Sequence, residues 1–341
     1  MKKISPRRVI LSRTDAIGDV VLTLPSAGLL KKQFPECRII FFGRTYTQPV
    51  IAACEHVDDF VNYDEFVTLS ISERKKFLAN IHAEAIIHVF PRPDIAAAAK
   101  AAGIRLRIGT TNRLYHWWTC NRLIPSGRKN SSLHEAQLNT KLLKPFGINN
   151  EFRLDELKNF FGLSKIKPLP ARLETKLSND KFNLVLHPKS NVSAREWSMQ
   201  RYAELIQLLP PEKFNIFITG TEKEKATMSK WLQTLPQYVH DYTAKMNLDE
   251  LISFIDHVDG LVAASTGPLH LAGALGKNAL GIYPPIRPMH PGRWAPLGEH
   301  AGFVVIPKNC SDCRSTLVQC HCMNEIGAGE VAERVLKWRK G

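Results

Sequence analysis

The stretch Arg7-Arg8-Val9-Ile10-Leu11-Ser12-Arg13-Thr14-Asp15-Ala16-Ile17-Gly18-Asp19-Val20-Val21-Leu22-Thr23-Leu24-Pro25 reads as a strand, a polar loop and the start of a helix. Val9 to Leu11 are an apolar run short enough for a buried strand. Ser12 to Gly18 are mostly polar, and Val20, Leu24 and residues 27–30 recur as one helical face. In open α/β sheets ligands bind beyond the carboxyl ends of the strands, so Asp15 and Asp19 stand where a reactive carboxylate is useful. Asp is also a good N-cap, and capping alone accounts for either residue at this level.

The same rhythm continues outward from that unit. Residues 38–43, 58–63, 85–90 and 103–109 read as strands, with helices over 72–81 and 94–102 and a turn at Val50-Ile51-Ala52. Pro91 and Pro93 end the strand before them. Residues 110–132 depart from the pattern and hold Arg113, Tyr115, His116, Trp117, Trp118, Arg122 and Arg128. Exposed, they would suit an anionic amphipathic partner; buried, the two tryptophans are ordinary core. A helix follows over 134–144, stopped by Pro145.

Between 162 and 180 the periodicity lapses among Lys165, Lys167, Pro168, Pro170 and Arg172, which marks a domain boundary. Beyond it, strands are expected over 182–188, 214–220, 260–264 and 279–283. Helices are expected over 199–209, 222–235, 248–258 and 328–340, and the proline-rich residues 285–298 form a shaped loop. Alternation of this kind makes two parallel βαβ sheets the economical account. The expected division is a first domain over 1–164, a linker over 165–181, a second domain over 182–326 and a terminal helix over 327–341 that can pack back toward the first domain.

With 341 residues, 44% hydrophobic and 23% charged, the chain can build two cores. The basic first residues lead into an apolar run of only three, and no run approaches a membrane span, so a cytoplasmic protein is expected. Lys and Arg number 46 against 32 Asp and Glu, a net charge of +14 that draws polyanions. No zinc-finger spacing, basic zipper or ribonucleoprotein signature is present, which argues against sequence-specific nucleic-acid binding. A phosphorylated substrate and an anionic membrane surface remain.

Cys37, Cys54 and Cys120 read as buried thiols. Cys310, Cys313, Cys320 and Cys322 pair closely enough to offer a structural zinc site, yet their separating loop is short for paired knuckles, and packing thiols or a redox-labile pair fit as well. The Ser265-Thr266-Gly267-Pro268-Leu269-His270 junction puts small residues and free amides at a helix start, which makes room for phosphate. A dehydrogenase is disfavoured because no G-x-G-x-x-G lies between the first strand and helix.

Ile17-Gly18-Asp19, His187-Pro188, Arg195-Glu196-Trp197, the run from Ser265 to Ala272 and Cys322-Met323-x-x-Ile326 follow one another in an order that resembles the heptosyltransferases of bacterial lipopolysaccharide-core synthesis, glycosyltransferase family 9. The resemblance implies a GT-B fold, two Rossmann-like domains separated by a cleft, with acceptor on the first and nucleotide-sugar on the second. It implies inverting, metal-independent transfer of heptose from ADP-heptose to Kdo or heptose of the inner core, with no cofactor required, at the cytoplasmic face of the inner membrane.

On this resemblance Asp19 is the base that deprotonates the acceptor, and Arg195 contacts the diphosphate, against the alternative of a solvent-facing arginine beside Glu196. Lys189, Ser190, Thr219, Gly220, Glu222, Ser265, Thr266, Gly267 and His270 are the expected donor-side residues. Asp15, Arg44, Arg92 and Arg122 are those expected on the acceptor side. Familiar heptosyltransferases carry Asp at the place of Ser265, so another nucleotide-sugar, or a capsule or other glycolipid acceptor, is an alternative. A nucleotide-sugar epimerase and a non-catalytic anion-binding protein are the remaining alternatives.

Overall fold

The computed structural model describes residues 5–127, 131–148, 151–190, 194–287, 289–308, 310 and 321–340. The chain divides into two compact units, residues 1–165 and 166–341. The first is built on β1 (Arg8–Ser12), β2 (Arg38–Gly43), β3 (Asp59–Asn62), β4 (Ala85–His88), β5 (Leu106–Thr110) and β6 (Arg122–Ile124), in the order β3-β2-β1-β4-β5-β6. The second uses β7 (Phe182–His187), β8 (Phe214–Ile218), β9 (Val239–Asp241), β10 (Gly260–Ala264), β11 (Asn278–Tyr283) and β12 (Ala301–Val305), in the order β12-β11-β10-β7-β8-β9. Counted from its own first strand, each sheet has the Rossmann order 3-2-1-4-5-6, and all pairings are parallel.

That order has a mechanical consequence. The chain builds outward from β1 through β2 and β3, then returns to the other side of β1 with β4, so the connections leaving β1 and β4 diverge and open a crevice beyond their carboxyl ends. In the first unit the switch lies where Ser12 pairs with His88. In the second it lies at the β7–β10 pair, where His187 aligns with Ala263. The central strands are apolar along their length because helices cover both faces. Ile10, Ile40, Phe42 and Ile86 pack with Ile95, Ala99, Phe66 and Leu78 in the first unit. In the second, Leu184, Leu186, Ile216, Ile218 and Val262 pack with Tyr202, Leu205, Ile206, Val331 and Val335.

Several local expectations are revised. Val50, Ile51 and Ala52 end a helix, Gln48–Ala52, rather than forming a turn, because Pro49 occupies its first turn where a missing N–H costs nothing. The helix expected over 134–144 is α-helical only over Glu135–Thr140. Lys141–Phe146 tightens into a 3₁₀ helix that accommodates Pro145. The proline-rich loop contains one helical turn, Pro291–Trp294, with Pro291 at its start.

The residues expected as a linker are hydrogen-bonded at both ends. The N–H groups of Ser164 and Lys165 donate to the Ala53 carbonyl of the first unit. Beyond them Arg172 bonds Glu250 and the Lys245 carbonyl, and the Leu173 carbonyl accepts from Tyr242, so this part belongs to the second unit. The terminal helix, Ala328–Val335, turns its apolar face to the core of its own unit. Val331 and Val335 join the second core, Trp338 stacks on Phe182, and the Trp197 indole donates to the Ile326 carbonyl.

A buried histidine pair lies under the carboxyl edge of the first sheet. His88 ends β4 with both ring nitrogens unpartnered among the described residues, and its ring centroid is 5.5 Å from that of His116. Burial, with the nearby His116 and Arg107, holds His88 down at about 3, far below the ordinary histidine value. The unfolded chain therefore takes up a proton that the folded one refuses. Stability is complete above about pH 6.5, declines as pH falls toward about 3, and the loss from this group reaches at most about 4–5 kcal/mol. Denaturant titrations across that range should show the decline, and His88→Phe should flatten it; an equal slope in the variant would show that another group sets it.

Candidate active site

The first switch point is organised by Arg13, a residue the sequence reading passed over. Its backbone N–H donates to the Phe42 carbonyl, and Phe90 N–H donates to the Ser12 carbonyl, so the loop after β1 is stitched to its neighbours as the strand ends. The side chain of Arg13 turns inward and is 1% exposed. Its Nε donates to Asp15 Oδ1 at 2.7 Å. One terminal nitrogen donates to Glu135 Oε1 at 3.0 Å and Asn139 Oδ1 at 3.2 Å, and the other pairs with Asp19. Burial opposes the charge on Arg13, but Asp19, Asp15 and Glu135 outweigh it and hold the guanidinium above its ordinary pKa.

Three carboxylates thus share one buried cation. Glu135 is as buried as the arginine, whereas the side chains of Asp15 and Asp19 remain 20% and 19% exposed. The cation forms the floor, and two carboxylates rise from it to the surface. Glu135 and Asn139 reach it from successive turns of helix Glu135–Thr140, which is entered through a His134–Gln137 capping box. Asn139 also donates to the Leu22 carbonyl at 3.0 Å and Thr23 Oγ1 at 3.2 Å, tying this helix to the end of Ile17–Val21. Asp19 is the third residue of that helix. The N-cap position is Ala16, so Asp19 does not cap by side chain and its carboxylate is directed to Arg13.

The other expected acceptor-side residues divide. Arg92, just past β4, donates to Thr14 Oγ1 at 3.1 Å and lies over the Tyr63 and Phe90 rings, which places it beside the Asp15 loop. Arg44 follows β2 and pairs with Asp64, whose carboxyl is held low, against burial, by the Thr45 N–H and hydroxyl and by Arg44. Tyr46, two residues on, donates to the Asp15 carbonyl at 2.6 Å. Arg122 is not brought to this site: it opens β6, three strands from β1 or about 14 Å across the sheet, and donates to the Asn121 carbonyl.

At the second switch point Glu196 folds back on the loop that leaves β7. Its carboxylate pairs with Lys189 and accepts from the Ser190 N–H at 2.9 Å and hydroxyl at 3.1 Å. Arg195 is buried, and the partner of Glu196 is Lys189, so the picture of a solvent-facing arginine paired with its neighbour does not hold. His187 Nδ1 lies 2.9 Å from Thr219 Oγ1, and burial lowers the His187 pKa against the pull of Glu224 and Glu196. Gly220 accepts from Ala244 N–H at 2.8 Å. Glu222 is exposed in the first turn of helix Glu222–Leu232. The buried carboxylate there is Glu224, which closes a capping box with Thr221. The Thr221-x-x-Glu224 spacing was the available signal.

Thr266 ends the turn after β10 and stands at the N-cap of helix Gly267–Ala274, with its hydroxyl buried and unpartnered among the described residues. Gly267 begins the helix, and His270 is buried inside it. With the amides of the first turn, this is an arrangement that accepts an anion. Gly273 touches the backbone of Leu297 and Gly298: a Cβ on Gly298 would stand 2.1 Å from the Gly273 carbonyl, so the following loop presses directly on the helix. Ser265 is hydrogen-bonded to Tyr283, whose phenol donates to the Trp294 carbonyl; burial raises the Tyr283 pKa and the Ser265 bond opposes that.

Among the described residues no group of three or more His, Cys, Asp or Glu could hold a metal ion. Cys322 is packed in the second core, and Cys310 packs against it, while Cys313 and Cys320 lie outside the described residues. No described helix is long and apolar enough to cross a membrane.

Comparison with known proteins adds a family to this geometry. The profile of glycosyltransferase family 9 (heptosyltransferase) matches residues 78–323. A Haemophilus influenzae protein, itself provisionally named a glycosyltransferase, is 25% identical over 308 residues, 86% of each chain. The crystal structure of the family 9 glycosyl transferase of Veillonella parvula is similar with a TM-score of 0.77 at 14% identity, covering 98% of this chain and 97% of that one. The E. coli ADP-heptose lipopolysaccharide heptosyltransferase II structure is similar with a TM-score of 0.73 at 16% identity, covering 97% of each. The fold is that of the GT-B glycosyltransferases.

The Arg13 cluster has a measurable energetic signature. Arg13→Met removes the buried guanidinium that Asp15, Asp19, Glu135 and Asn139 bond together and should destabilise the protein by about 3–5 kcal/mol. Adding Glu135→Gln should recover part of that loss. Unfolding curves in which Arg13→Met matches the wild type would mean that the cluster carries no structural load.

Proposed function

The chain belongs to glycosyltransferase family 9, the heptosyltransferases, and we propose on that footing that it transfers heptose from ADP-heptose to Kdo or heptose of a lipopolysaccharide inner core, with inversion and without a metal ion. The observation that carries the reading is the Asp19 carboxylate, held on a buried guanidinium at the switch point of the first unit and still open to the surface.

Asp19 removes the proton from the attacking hydroxyl as the new oxygen–carbon bond forms at the anomeric centre and the bond to the diphosphate breaks. Arg13 fixes the direction of the carboxylate. The same guanidinium also bonds Asp15 and Glu135, so its plane is fixed from three directions. Asp15 and Arg92, on the same loop edge, orient the acceptor.

The departing ADP needs compensation for the charge it gains. Arg195, Lys189 and the first amides of Gly267–Ala274, with the Thr266 hydroxyl, supply it in this reading. Ser190, Thr219, Gly220 and His270 shape the nucleotide side; Glu222, exposed, is the weakest member of that set, and Glu224 replaces it as the fixed carboxylate. A second reading, a different nucleotide-sugar donor, is favoured by one observation: the residue leading into the Gly267–Ala274 helix start is Ser265, which offers a hydroxyl and no carboxylate to sugar hydroxyls.

Release of ADP from ADP-heptose in the presence of a Kdo-lipid acceptor tests the assignment. Asp19→Asn should lower kcat by about 10²–10⁴-fold while donor affinity stays within two- to three-fold. Near-normal turnover would remove Asp19 as the base. Arg195→Ala should weaken ADP binding and slow transfer together, and unchanged values for both would dismiss its role. Activity with another nucleotide-sugar and none with ADP-heptose would select the second reading.

A further inference from the structure

Among the described residues of the first unit, the connection between β5 and β6 carries the most concentrated apolar exposure. Leu114 is 77% exposed, Trp117 60% and Trp118 61%. Amide hydrogen bonds from His116 to the Arg113 carbonyl and from Trp117 to the Leu114 carbonyl start a helical turn that continues as His116–Thr119. Positions 114, 117 and 118 stand three and four residues apart, so they share one face of that turn.

The opposite face is fixed. His116 and Thr119 are buried, and His116 Nδ1 accepts from the Thr110 N–H at 2.9 Å. A Cβ on Gly109 would come within 2.6 Å of that nitrogen, so the ring sits against bare backbone. With the inner face locked in this way, the outer one cannot roll inward. The Trp117 indole N–H donates to the Thr111 carbonyl at 3.1 Å, which satisfies its polar end and leaves its hydrocarbon outward.

Charge identifies the partner. From 95 to 134 the sequence contains no Asp or Glu and seven cations: Lys100, Arg105, Arg107, Arg113, Arg122, Arg128 and Lys129. Arg105, Arg113 and Arg122 are exposed. Two copies meeting through this face would set like charge against like charge. A single-stranded nucleic acid would use the indoles, but it gives no reason for the aliphatic Leu114 to be the most exposed of the three. Indoles beside an aliphatic side chain, set among arginines, match the headgroup layer of a bilayer, where hydrocarbon enters the acyl boundary and cations meet lipid phosphate.

We propose that Leu114, Trp117 and Trp118, with the exposed Arg113 and Arg122 that neighbour them in sequence, form a docking face for an anionic phospholipid bilayer. The contact is peripheral and reversible, because one helical turn buries little hydrocarbon. It stands apart from the transferase assignment: plain phospholipid vesicles contain no glycosyl acceptor, so their binding and the ADP-release assay fail independently.

The test is co-sedimentation of the full chain with vesicles of phosphatidylcholine alone and of phosphatidylcholine with about one third phosphatidylglycerol, read together with tryptophan emission. Binding and a blue shift are expected with the anionic vesicles and not with the neutral ones. Trp117→Ala/Trp118→Ala should lower partitioning by at least about ten-fold, and Arg113→Gln and Arg122→Gln by about five-fold each. Leu114→Asp, which disturbs no packing, should lose binding as well, while Leu336→Ala at an exposed site of the other unit should not. Four results would overturn the proposal: no binding by the wild type, equal binding by the tryptophan and Leu114 variants, preference for a single-stranded polynucleotide, or self-association that the same variants abolish.

Discussion

A guanidinium taken out of water is costly unless nearby acceptors replace the hydration it loses, and Arg13 is supported by three carboxylates and an amide drawn from distant parts of the chain. Asp15 and Asp19 are local, but Glu135 and Asn139 lie 122 and 126 residues away. Meeting the needs of that one cation therefore requires the loop after β1, the helix that follows it and helix Glu135–Thr140 to be in place together. The same demand turns Asp19 from a helix cap into a directed carboxylate. Structure and chemistry depend here on one group, and a change at Arg13 must register in both.

The two sheets show how topology distributes the rest. Both have the same strand order, and in both the chemistry-bearing residues gather where that order reverses. Asp15, Asp19 and Arg92 leave β1 and β4; Lys189, Arg195 and Thr266 leave β7 and β10. Residues predicted from sequence but placed away from those junctions behave differently: Arg122 begins an edge strand, and Glu222 faces solvent on a helix. The second unit offers an anion a buried hydroxyl and a helix start, and the first offers carboxylates on a cation. In the proposed reading the second unit is the donor side and the first the acceptor side.

Much of this could be read from the residues, and the failures have physical causes. The central strands are unbroken apolar runs, and they are legible because helices cover both faces. The edge strands β6, β9 and β12 are short or partly exposed, and they escaped notice. Asp19 was visible through its place after a strand. Arg13 was not, because an arginine in a polar loop looks solvated until the distant Glu135 is brought to it. The capping box that buries Glu224 was written in the spacing from Thr221, but the neighbouring Glu222 drew attention first. Whether Trp117 and Trp118 were core or surface could not be decided from their type; the packing of His116 against Gly109 decides it.

In the proposed mechanism Arg13 directs the Asp19 carboxylate, and the single-turnover rate of sugar transfer by Arg13→Lys, at saturating donor and acceptor, measures that dependence. A lysine keeps the charge but cannot direct separate bonds to Asp15, Asp19 and Glu135 from one rigid plane. The chemical step should slow by about ten-fold or more while ADP affinity is unchanged. A single-turnover rate equal to that of the wild type, with the variant fully folded, would contradict it.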